Sequence, residues 1–391
     1  MKLIVVGFGQ CGGRIADEFA RLNARAQGLR GLNIITGAFA VNTDIADLSG
    51  LRVIKTGYEH RILIGSRKTG GHGVGKINEL GAEIAREDAD KIVETIRNAR
   101  HFSETDAFLL VAGAAGGTGS GSVPVMTQLI KERYVDKPVY NLIVLPFEHE
   151  VATEDRTVYN VATCLKSSYL VADAIFLVDN QRYVMKDSPI ISNLNKINTM
   201  IVHPFFNLLC AGEEKKSRYI GAKILDAGDI IQTLVGWTTL GYGHSRESAL
   251  RSIFKVTHDF RNKANETQRG IQALDEAISG LSIKCNPLDS KRALYLVSAN
   301  AREINVDLIK ELGTYIKNMA PEAVIRSGDY PREKGAMDVT VILSEMSDVE
   351  KVRNYFTRAI NIIGDLKKRQ EGLIDAQRGI DITIKDIPSL L

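Results

Sequence analysis

Two glycine clusters are the parts of this chain whose residue types and spacing best suit a chemical role. The first, GFGQCG at residues 7–12, follows the apolar run KLIVV and precedes a helical pattern. The second, AGAAGGTGSGSVP at residues 112–124, adds two hydroxyl donors, Thr118 and Ser120. Glycine allows positive φ angles and close approach to an anion, and the helix that follows presents free N–H groups. Both clusters therefore predict loops that bind a polyphosphate.

The first cluster alone leaves the nucleotide open. It matches the G-x-G-x-x-G pattern of dinucleotide-binding folds, which favours a Rossmann NAD(P)-dependent oxidoreductase as one alternative. Tight turns without a ligand are a second alternative. The oxidoreductase hypothesis leaves GGTGSG at residues 116–121 unexplained, and the sequence offers no convincing acid or base for hydride transfer.

Composition indicates a folded protein of more than one domain. The chain has 391 residues, of which 44% are hydrophobic and 25% charged. A net charge of +3, from 50 basic and 47 acidic residues, gives no reason to expect a nucleic-acid partner. Four dispersed cysteines predict neither a zinc site nor a disulfide framework. With no signal-peptide pattern and no long apolar run, we expect a cytoplasmic protein without direct membrane insertion.

The elements that would position the two loops alternate between strands and helices. Apolar runs such as KLIVV, GAFAVNT, DAFLLVAG, PVYNLIVLPF and DAIFLVDN are separated by helix-compatible segments as far as residue 179. This alternation is typical of an α/β, Rossmann-like parallel sheet, in which ligands bind beyond the carboxyl ends of the strands. Residues 1–179 are therefore predicted to form the nucleotide-binding domain.

The second half of the chain has a different rhythm. Residues 180–213 read as a central connecting helical segment, with Pro189 and Pro204 expected to break or kink it. Residues 214–391 combine short strands and helices, as in a smaller α+β domain. Trp237 is interpreted as a packing residue, and GYG at 241–243 as a turn. The sequence leaves open whether the last segment packs on the domain.

The glycine clusters, taken together, resemble a known family. GGTGSG at 116–121 closely resembles the tubulin signature G-G-G-T-G-S-G, with Ala115 in place of its first glycine, and GQCG at 9–12 resembles the tubulin sequence there. The order of nucleotide domain, connecting helix and smaller domain is also similar. The compact length and the absence of a long acidic tail look most like the archaeal CetZ proteins of the tubulin/FtsZ superfamily.

This resemblance implies the fold and the activity of the family. It implies a tubulin/FtsZ-like GTPase domain that binds GTP or GDP, with Mg²⁺ accompanying the triphosphate and no metal site formed by the protein alone. It also implies head-to-tail filaments of the chain itself, GTP hydrolysis at the subunit interface, and cell-shape or division factors as partners. A GTP-binding regulator that does not polymerise remains the alternative within this class.

The resemblance also implies a nucleotide site assembled from several loops. Its predicted members are Gly9, Gln10, Cys11, Gly12, Asn42, Asp44, Gly73, Gly113, Gly116, Gly117, Thr118, Gly119, Ser120, Gly121, Glu154, Asn160, Asn180 and Asn198.

Within this set the resemblance assigns different parts of the nucleotide. NTD at 42–44 would lie near the phosphates, although Asp44 is equally a turn former, and Gly73 belongs to the loop expected to sense the γ-phosphate. Glu154 and Asn160 are expected at the ribose. Asn180 and Asn198 would pair with the guanine edge, because an amide both donates and accepts. Leu194 stands where the family has an aromatic residue. His72 is left open between phosphate, neighbouring subunit and solvent.

Two carboxylates are the predicted catalytic residues. Asp226 and Asp229 resemble the loop that completes the active site of the next subunit, where they would polarise the attacking water. Helix capping is the alternative for this pair. Ile224 stands where the family has an asparagine. The basic residues Lys215, Lys216 and Arg218 are interpreted as a solvated surface, or as a contact with a neighbouring subunit.

Overall fold

The computed structural model describes residues 1–55, 60–184, 190–245, 260–333 and 336–364. The strands are β1 (Leu3–Phe8), β2 (Ile35–Asn42), β3 (Arg61–Leu63), β4 (Ala107–Gly113), β5 (Val139–Leu145), β6 (Ala174–Asp179), β7 (Gly236–Ser245), β8 (Arg292–Asn300), β9 (Val324–Arg332) and β10 (Met337–Ser344). The helices are α1 (Gly9–Arg30), α2 (Ile45–Ser49), α3 (Ser66–Thr69), α4 (Asn78–Glu87), α5 (Ala89–Arg97), α6 (Thr118–Arg133), α7 (Glu148–Thr153), α8 (Asp155–Val171), α9 (Ile190–Ala211), α10 (Ala227–Thr233), α11 (Phe260–Ser279) and α12 (Val306–Met319), and residues 350–364 are also helical.

The described strands form one sheet in the order β3-β2-β1-β4-β5-β6-β7-β10-β8-β9. From β3 to β7 neighbouring strands are parallel, β10 is antiparallel to both β7 and β8, and β9 is parallel to β8. Every residue of β1, β5 and β6 is buried, because helices cover both faces of the sheet. The predicted α/β fold with a smaller α+β part is confirmed.

Two edges of this sheet matter for function. We call the edge where β1 and β4 end the carboxyl edge, and the edge where β1, β4 and β6 begin the amino edge. The intervening strands are six or seven residues long. At about 3.3 Å per residue, the two edges are separated by roughly 20 Å.

Of the break or kink predicted at Pro204, helix α9 shows that the break does not occur. The helix runs without interruption from Ile190 to Ala211 and contains Pro204, whereas Pro189 lies outside the described residues. Buried side chains on both sides of the proline, including Val202, Phe205 and Leu208, pack into the core. Their burial, worth about 1.5–3 kcal/mol each, outweighs the ~3 kcal/mol cost of an interior proline.

Strand β7 corrects the prediction of a turn at residues 241–243. Gly241 and Gly243 lie within the strand and face α11, where a Cβ would approach the carbonyl oxygens of Ala277 and Ala273 to 2.1 and 2.0 Å. The glycines therefore let a helix backbone lie directly on the strand. Trp237 does pack, as predicted: its ring stacks on Tyr169 with centroids 4.9 Å apart.

Of the helices in the described ranges, none combines the length and the apolar character needed to cross a lipid bilayer.

Candidate functional site

The two glycine loops lie against each other at the carboxyl edge. The first joins β1 to α1 and the second joins β4 to α6, and β1 pairs with β4. A Cβ on Gly9 would lie 3.1 Å from the amide nitrogen of Gly119, and a Cβ on Gly119 would lie 2.8 Å from the carbonyl oxygen of Phe8. The two backbones are therefore in contact, as a ligand shared between them requires.

Both helices that follow the loops begin without a capping side chain. Phe8 caps α1 and Gly117 caps α6, neither makes a side-chain cap hydrogen bond, and neither helix has an acidic residue in its first turn. The first N–H groups of each helix are left for another partner, at the positive end of the helix dipole. This arrangement suits a polyphosphate.

Gly12 and Gly116 are glycines for different structural reasons. A Cβ on Gly12 would lie 2.1 Å from the carbonyl oxygen of Val111, so only glycine allows α1 to start so close to β4. Around Gly116, by contrast, no heavy atom lies within 4 Å of where a Cβ would stand. Gly116 therefore faces open space, in which an anion could bind against the backbone.

The hydroxyl groups of the second loop, on Thr118 and Ser120, make hydrogen bonds to other parts of the protein. The Oγ1 atoms of Thr118 and Thr43 are 2.6 Å apart, and the Ser120 hydroxyl donates to the Gly116 carbonyl. Thr118 and Ser120 are buried. In this structure they fix the shape of the loop and link it to residues 42–44.

Residues 42–44 form the turn between β2 and α2. The Asn42 side chain accepts a hydrogen bond from the Thr43 amide at 2.8 Å. The Asp44 carboxylate caps α2 by accepting from the amides of Ala46 and Asp47, at 2.8 and 3.1 Å. The turn-forming role considered for Asp44 is thus present. The first loop joins this turn, because the Gln10 amide donates to the Asp47 carboxylate at 2.7 Å.

The loop at residues 70–77 lies against the turn at 42–44 and the second glycine loop. Its glycines at 70, 71, 73 and 75 all have positive φ, between 55° and 83°. The Gly73 amide donates to the Thr43 carbonyl at 3.1 Å. A Cβ on Gly117 would lie 2.5 Å from Val74 Cγ2, so this loop lies on the start of α6. His72 is exposed. The predicted γ-phosphate loop is therefore adjacent to the phosphate loops.

Asn160 is buried, and it holds the loops in place. Its side-chain amide nitrogen lies within hydrogen-bonding distance of the carbonyls of Lys76, Ala115 and Gly116, at 2.9, 3.0 and 3.2 Å, and shares its two N–H donors among them. It therefore ties the 70–77 loop to the second glycine loop, a role that the sequence did not suggest. Glu154 is partly exposed, and its carboxylate lies 2.5 Å from the Lys76 ammonium.

Of the two residues predicted to contact the base, one directly follows β6 and the other lies on α9. Asn180 starts a 3₁₀ turn directly after Asp179, whose carboxylate accepts from the Lys351 ammonium at 2.6 Å. Asn198 is half-buried on α9. No contact brings either asparagine to the glycine loops in the described part of the chain.

Helix α9 lies alongside α1 in the same direction. The Thr199 hydroxyl donates to Glu18 at 2.9 Å, and farther along both helices Arg30 pairs with Glu214, just beyond α9. The early turns of α9 therefore lie toward the carboxyl edge. Asn195, one turn before Thr199, accepts the Thr199 hydroxyl at its carbonyl, and its side chain is exposed. Its i, i+4 spacing from Thr199 places Asn195 on the same side of α9 as Thr199.

Cys11, the one cysteine in the two glycine loops, has an unreactive thiol. It lies against Gly113, where a built Cβ would be 3.4 Å from Cys11 Sγ. Burial of the thiol raises its pKa to about 12. The sulfur is therefore protonated at neutral pH and is not a nucleophile.

Asp226 and Asp229 lie at the amino edge. Asp226 caps α10 and Asp229 lies in its first turn; α10 precedes β7, whose first residue, Gly236, pairs with Ala174, the first residue of β6. The Asp226 carboxylate accepts from the Asp229 amide at 2.8 Å, so the capping role considered for the pair is present. Asp229 accepts from Arg326 at 3.2 Å. The glycine loops and this carboxylate pair therefore lie at opposite edges of the sheet, roughly 20 Å apart.

Within the described ranges, no cluster of three or more His, Cys, Asp or Glu side chains could hold a metal ion.

Family models match almost the whole chain. Residues 2–185 match the GTPase domain of the tubulin/FtsZ family, and residues 188–361 match the C-terminal domain of the tubulin-like CetZ proteins. Among curated proteins, the tubulin-like protein CetZ1 of Haloferax volcanii is 32% identical over 370 residues, which cover 90% of each chain. CetZ of Pyrococcus abyssi is 27% identical over 376 residues, covering 95% of this chain and 93% of the relative.

Solved structures agree with these matches. A GDP-bound monomer of CetZ1 from Haloferax volcanii superposes with a TM-score of 0.78 at 30% identity, over 93% of this chain and 99% of that one. A GTPγS-bound protofilament of CetZ2 from the same organism has a TM-score of 0.78 at 28% identity, over 94% of this chain and 100% of that one.

Proposed function

Since the chain belongs to the tubulin/FtsZ family and carries a CetZ-type C-terminal domain, we propose that it is a GTPase that assembles head to tail into filaments. In this proposal GTP binds at the carboxyl edge and is hydrolysed between subunits. The CetZ2 relative, solved as a GTPγS-bound protofilament, supports filament assembly and guanine-nucleotide binding.

The observation that carries the proposal is the separation of the two half-sites. The phosphate loops lie at one edge of the sheet and Asp226 with Asp229 at the other. A second copy, translated along the strands, would bring its carboxylates to the first copy's nucleotide. Such a contact uses two different surfaces and does not close, so it extends into an open filament.

Exposed apolar side chains at both edges support this contact. Ile45 and Ile77, beside the phosphate loops, are 52% and 47% exposed. Ile224 and Val324, beside the carboxylate pair, are 49% and 59% exposed. Apolar side chains gathered near both half-sites suit burial between subunits.

In this proposal each group of residues has its own role in GTP binding or hydrolysis. The amides at the starts of α1 and α6 bind the phosphates, and magnesium, when bound, neutralises charge on the β- and γ-oxygens. Asn180 and Asn198 read the guanine edge, with Asn195 as a further amide on the same side of α9 as Thr199. Glu154 binds the ribose. Asp226 and Asp229 of the next subunit orient and polarise water for attack on the γ-phosphate. We place this activity in the cytoplasm, in cell shape or division.

Mixing two variants tests whether the site is shared. Asp229→Asn removes a carboxylate from the amino edge, and Gly116→Asp places a negative charge in the open space of the phosphate loop. Each alone should hydrolyse GTP at least ~100-fold more slowly than the wild type. An equimolar mixture should recover roughly a quarter of the wild-type rate, because one interface in four then combines two intact halves.

Rate and sedimentation are measured on the same samples across a range of protein concentrations. A mixture of Asp229→Asn with Asp226→Asn is the control and should recover nothing, because both changes affect the same half. Hydrolysis that is independent of concentration, with no pelletable polymer, would instead indicate a GTP-binding regulator that does not polymerise.

A further inference from the structure

We propose that Lys76 distinguishes GTP from GDP: its ammonium leaves Glu154 and binds the terminal phosphate when a triphosphate occupies the carboxyl edge. This inference rests on the proposed function, since it requires a guanine nucleotide at that site. It adds a residue at the end of the 70–77 loop to those predicted from the sequence.

The backbone of Lys76 is held against the phosphate loop. Its carbonyl accepts hydrogen bonds from Asn160 at 2.9 Å and from Arg156 Nε at 3.3 Å. A Cβ on Gly117, the residue that caps α6, would lie 3.0 Å from the carbonyl carbon of Lys76. The base of the Lys76 side chain is thus fixed beside the helix start where phosphate would bind.

The conformation of Lys76 is unusual. Its φ is +61°, in the left-handed region that non-glycine residues rarely adopt. The bonds to its carbonyl hold it there. Because glycines precede it in the loop, another glycine would have been the simpler residue for this conformation. Such strain tends to be found at functional sites, where the surrounding structure holds the residue in place.

The side chain is free to change partners. Its one hydrogen-bonded carboxylate in the described structure is Glu154, 2.5 Å away, and the two side chains are 46% and 42% exposed. Water screens such an exposed pair, so little is lost when it opens. The space at Gly116, next to the helix start, is open. A γ-phosphate there would offer a stronger, charge-assisted hydrogen bond.

The charges around the site favour this exchange for a triphosphate. Neither α1 nor α6 has an acidic residue in its first turn, so Lys76 meets no carboxylate there. GDP lacks the phosphate that would lie beneath the 70–77 loop. With GDP the ammonium would stay on Glu154, and with GTP it would move.

Lys68 provides a matched control in the same region. Its ammonium lies 2.5 Å from Glu83 and 2.6 Å from Glu87, and its side chain is 36% exposed. It is a partly exposed lysine with carboxylate partners, and among the described residues no contact of its side chain reaches the glycine loops.

The experiment measures dissociation constants for GTPγS and for GDP, with Mg²⁺, at protein concentrations below assembly. The variants are Lys76→Asn and Lys68→Asn, because asparagine tolerates a positive φ. For Lys76→Asn we expect GTPγS to bind about tenfold more weakly, while GDP changes by less than about twofold. Lys68→Asn should change neither affinity.

Glu154→Gln separates the two roles considered for Glu154. If Glu154 competes for Lys76, the variant should bind GTPγS more tightly without a matching gain for GDP. If Glu154 only binds the ribose, both affinities should fall together, which would contradict the exchange.

The remaining outcomes are also decisive. Equal losses for both nucleotides in Lys76→Asn would show that Lys76 only shapes the loop, and no loss would show that it does not touch phosphate. Retained GDP binding shows that a variant is folded. A wild-type protein that binds neither nucleotide would overturn the proposed function itself, before the inference on Lys76 is tested.

Discussion

The carboxyl and amino edges of the sheet offer different groups for the proposed function. At the carboxyl edge the backbones of the glycine loop and its neighbour touch: a Cβ on Gly12 would lie 2.1 Å from Val111 O. The amino edge is also closely packed, since a Cβ on Gly212 would lie 2.3 Å from Leu225 O, but Asp226 and Ile224 are exposed. In the proposed function, backbone groups held in place within one subunit would bind the ligand, and exposed side chains would act on another subunit.

The largest expected effect of a single change is at the carboxyl edge. Gly12→Ala would force a methyl group onto the Val111 carbonyl, and neither backbone can yield without moving α1 or β4. We expect a loss of more than about 3 kcal/mol in the free energy of unfolding, measured by urea denaturation without nucleotide. Gly116→Ala, whose Cβ meets nothing, is the control and should cost less than about 1 kcal/mol. Equal losses of stability in Gly12→Ala and Gly116→Ala would contradict the close approach of Gly12 to the Val111 carbonyl.

A medium effect is expected at Asn160, which joins two loops of the same edge. Asn160→Ala would remove the side-chain amide that joins the two loops and leave the Ala115 carbonyl without this donor, whereas the Lys76 and Gly116 carbonyls keep Arg156 and Ser120, so we expect a loss of about 2 kcal/mol in the free energy of unfolding. The measurement is again made without nucleotide. Asn198→Ala, on the half-buried face of α9, is the comparison and should change stability by less than about 0.5 kcal/mol. If Asn160 served only the ribose, unfolding without nucleotide would be unaffected.

The smallest effect on stability is expected at the amino edge. Asp229→Asn loses an ion pair with Arg326 in which the two side chains are 37% and 21% exposed. Water screens this pair, so the free energy of unfolding should fall by less than about 1 kcal/mol. The same variant should hydrolyse GTP about 100-fold more slowly. A large loss of stability would mean that Asp229 is structural and that the edges are not as different as described.

The strands β1, β2, β4, β5 and β6 could be predicted because each is a run of apolar residues that the sheet buries almost completely. Strand β7 was missed, because two glycines look like a turn when only their chain neighbours are considered. Glycine is required at these positions because the carbonyls of Ala273 and Ala277 in α11, some thirty residues away in the sequence, lie directly against the strand. Pro204 was misjudged for the same reason: packing partners outside the segment decide its conformation.

The site shows the same division. The two glycine loops could be recognised because their composition determines what the backbone can do. The partners of Asn160 and Thr118 could not, because they come from loops distant in the chain. Lys76 gave no signal in the sequence, since neither its left-handed conformation nor its position beside Gly117 follows from its neighbours. The contributions of Asp226 and Asp229 to catalysis remain a prediction that the mixing experiment addresses.

The separation of the half-sites has a consequence for any filament built in this way. Its two ends would not be equivalent: one would present a nucleotide without carboxylates above it, and the other would present carboxylates without a nucleotide. The terminal subunit at the first end would keep its GTP until another subunit arrives. Hydrolysis in a subunit would then begin only when the next subunit is added. Subunits that were added earlier would therefore hydrolyse their GTP earlier.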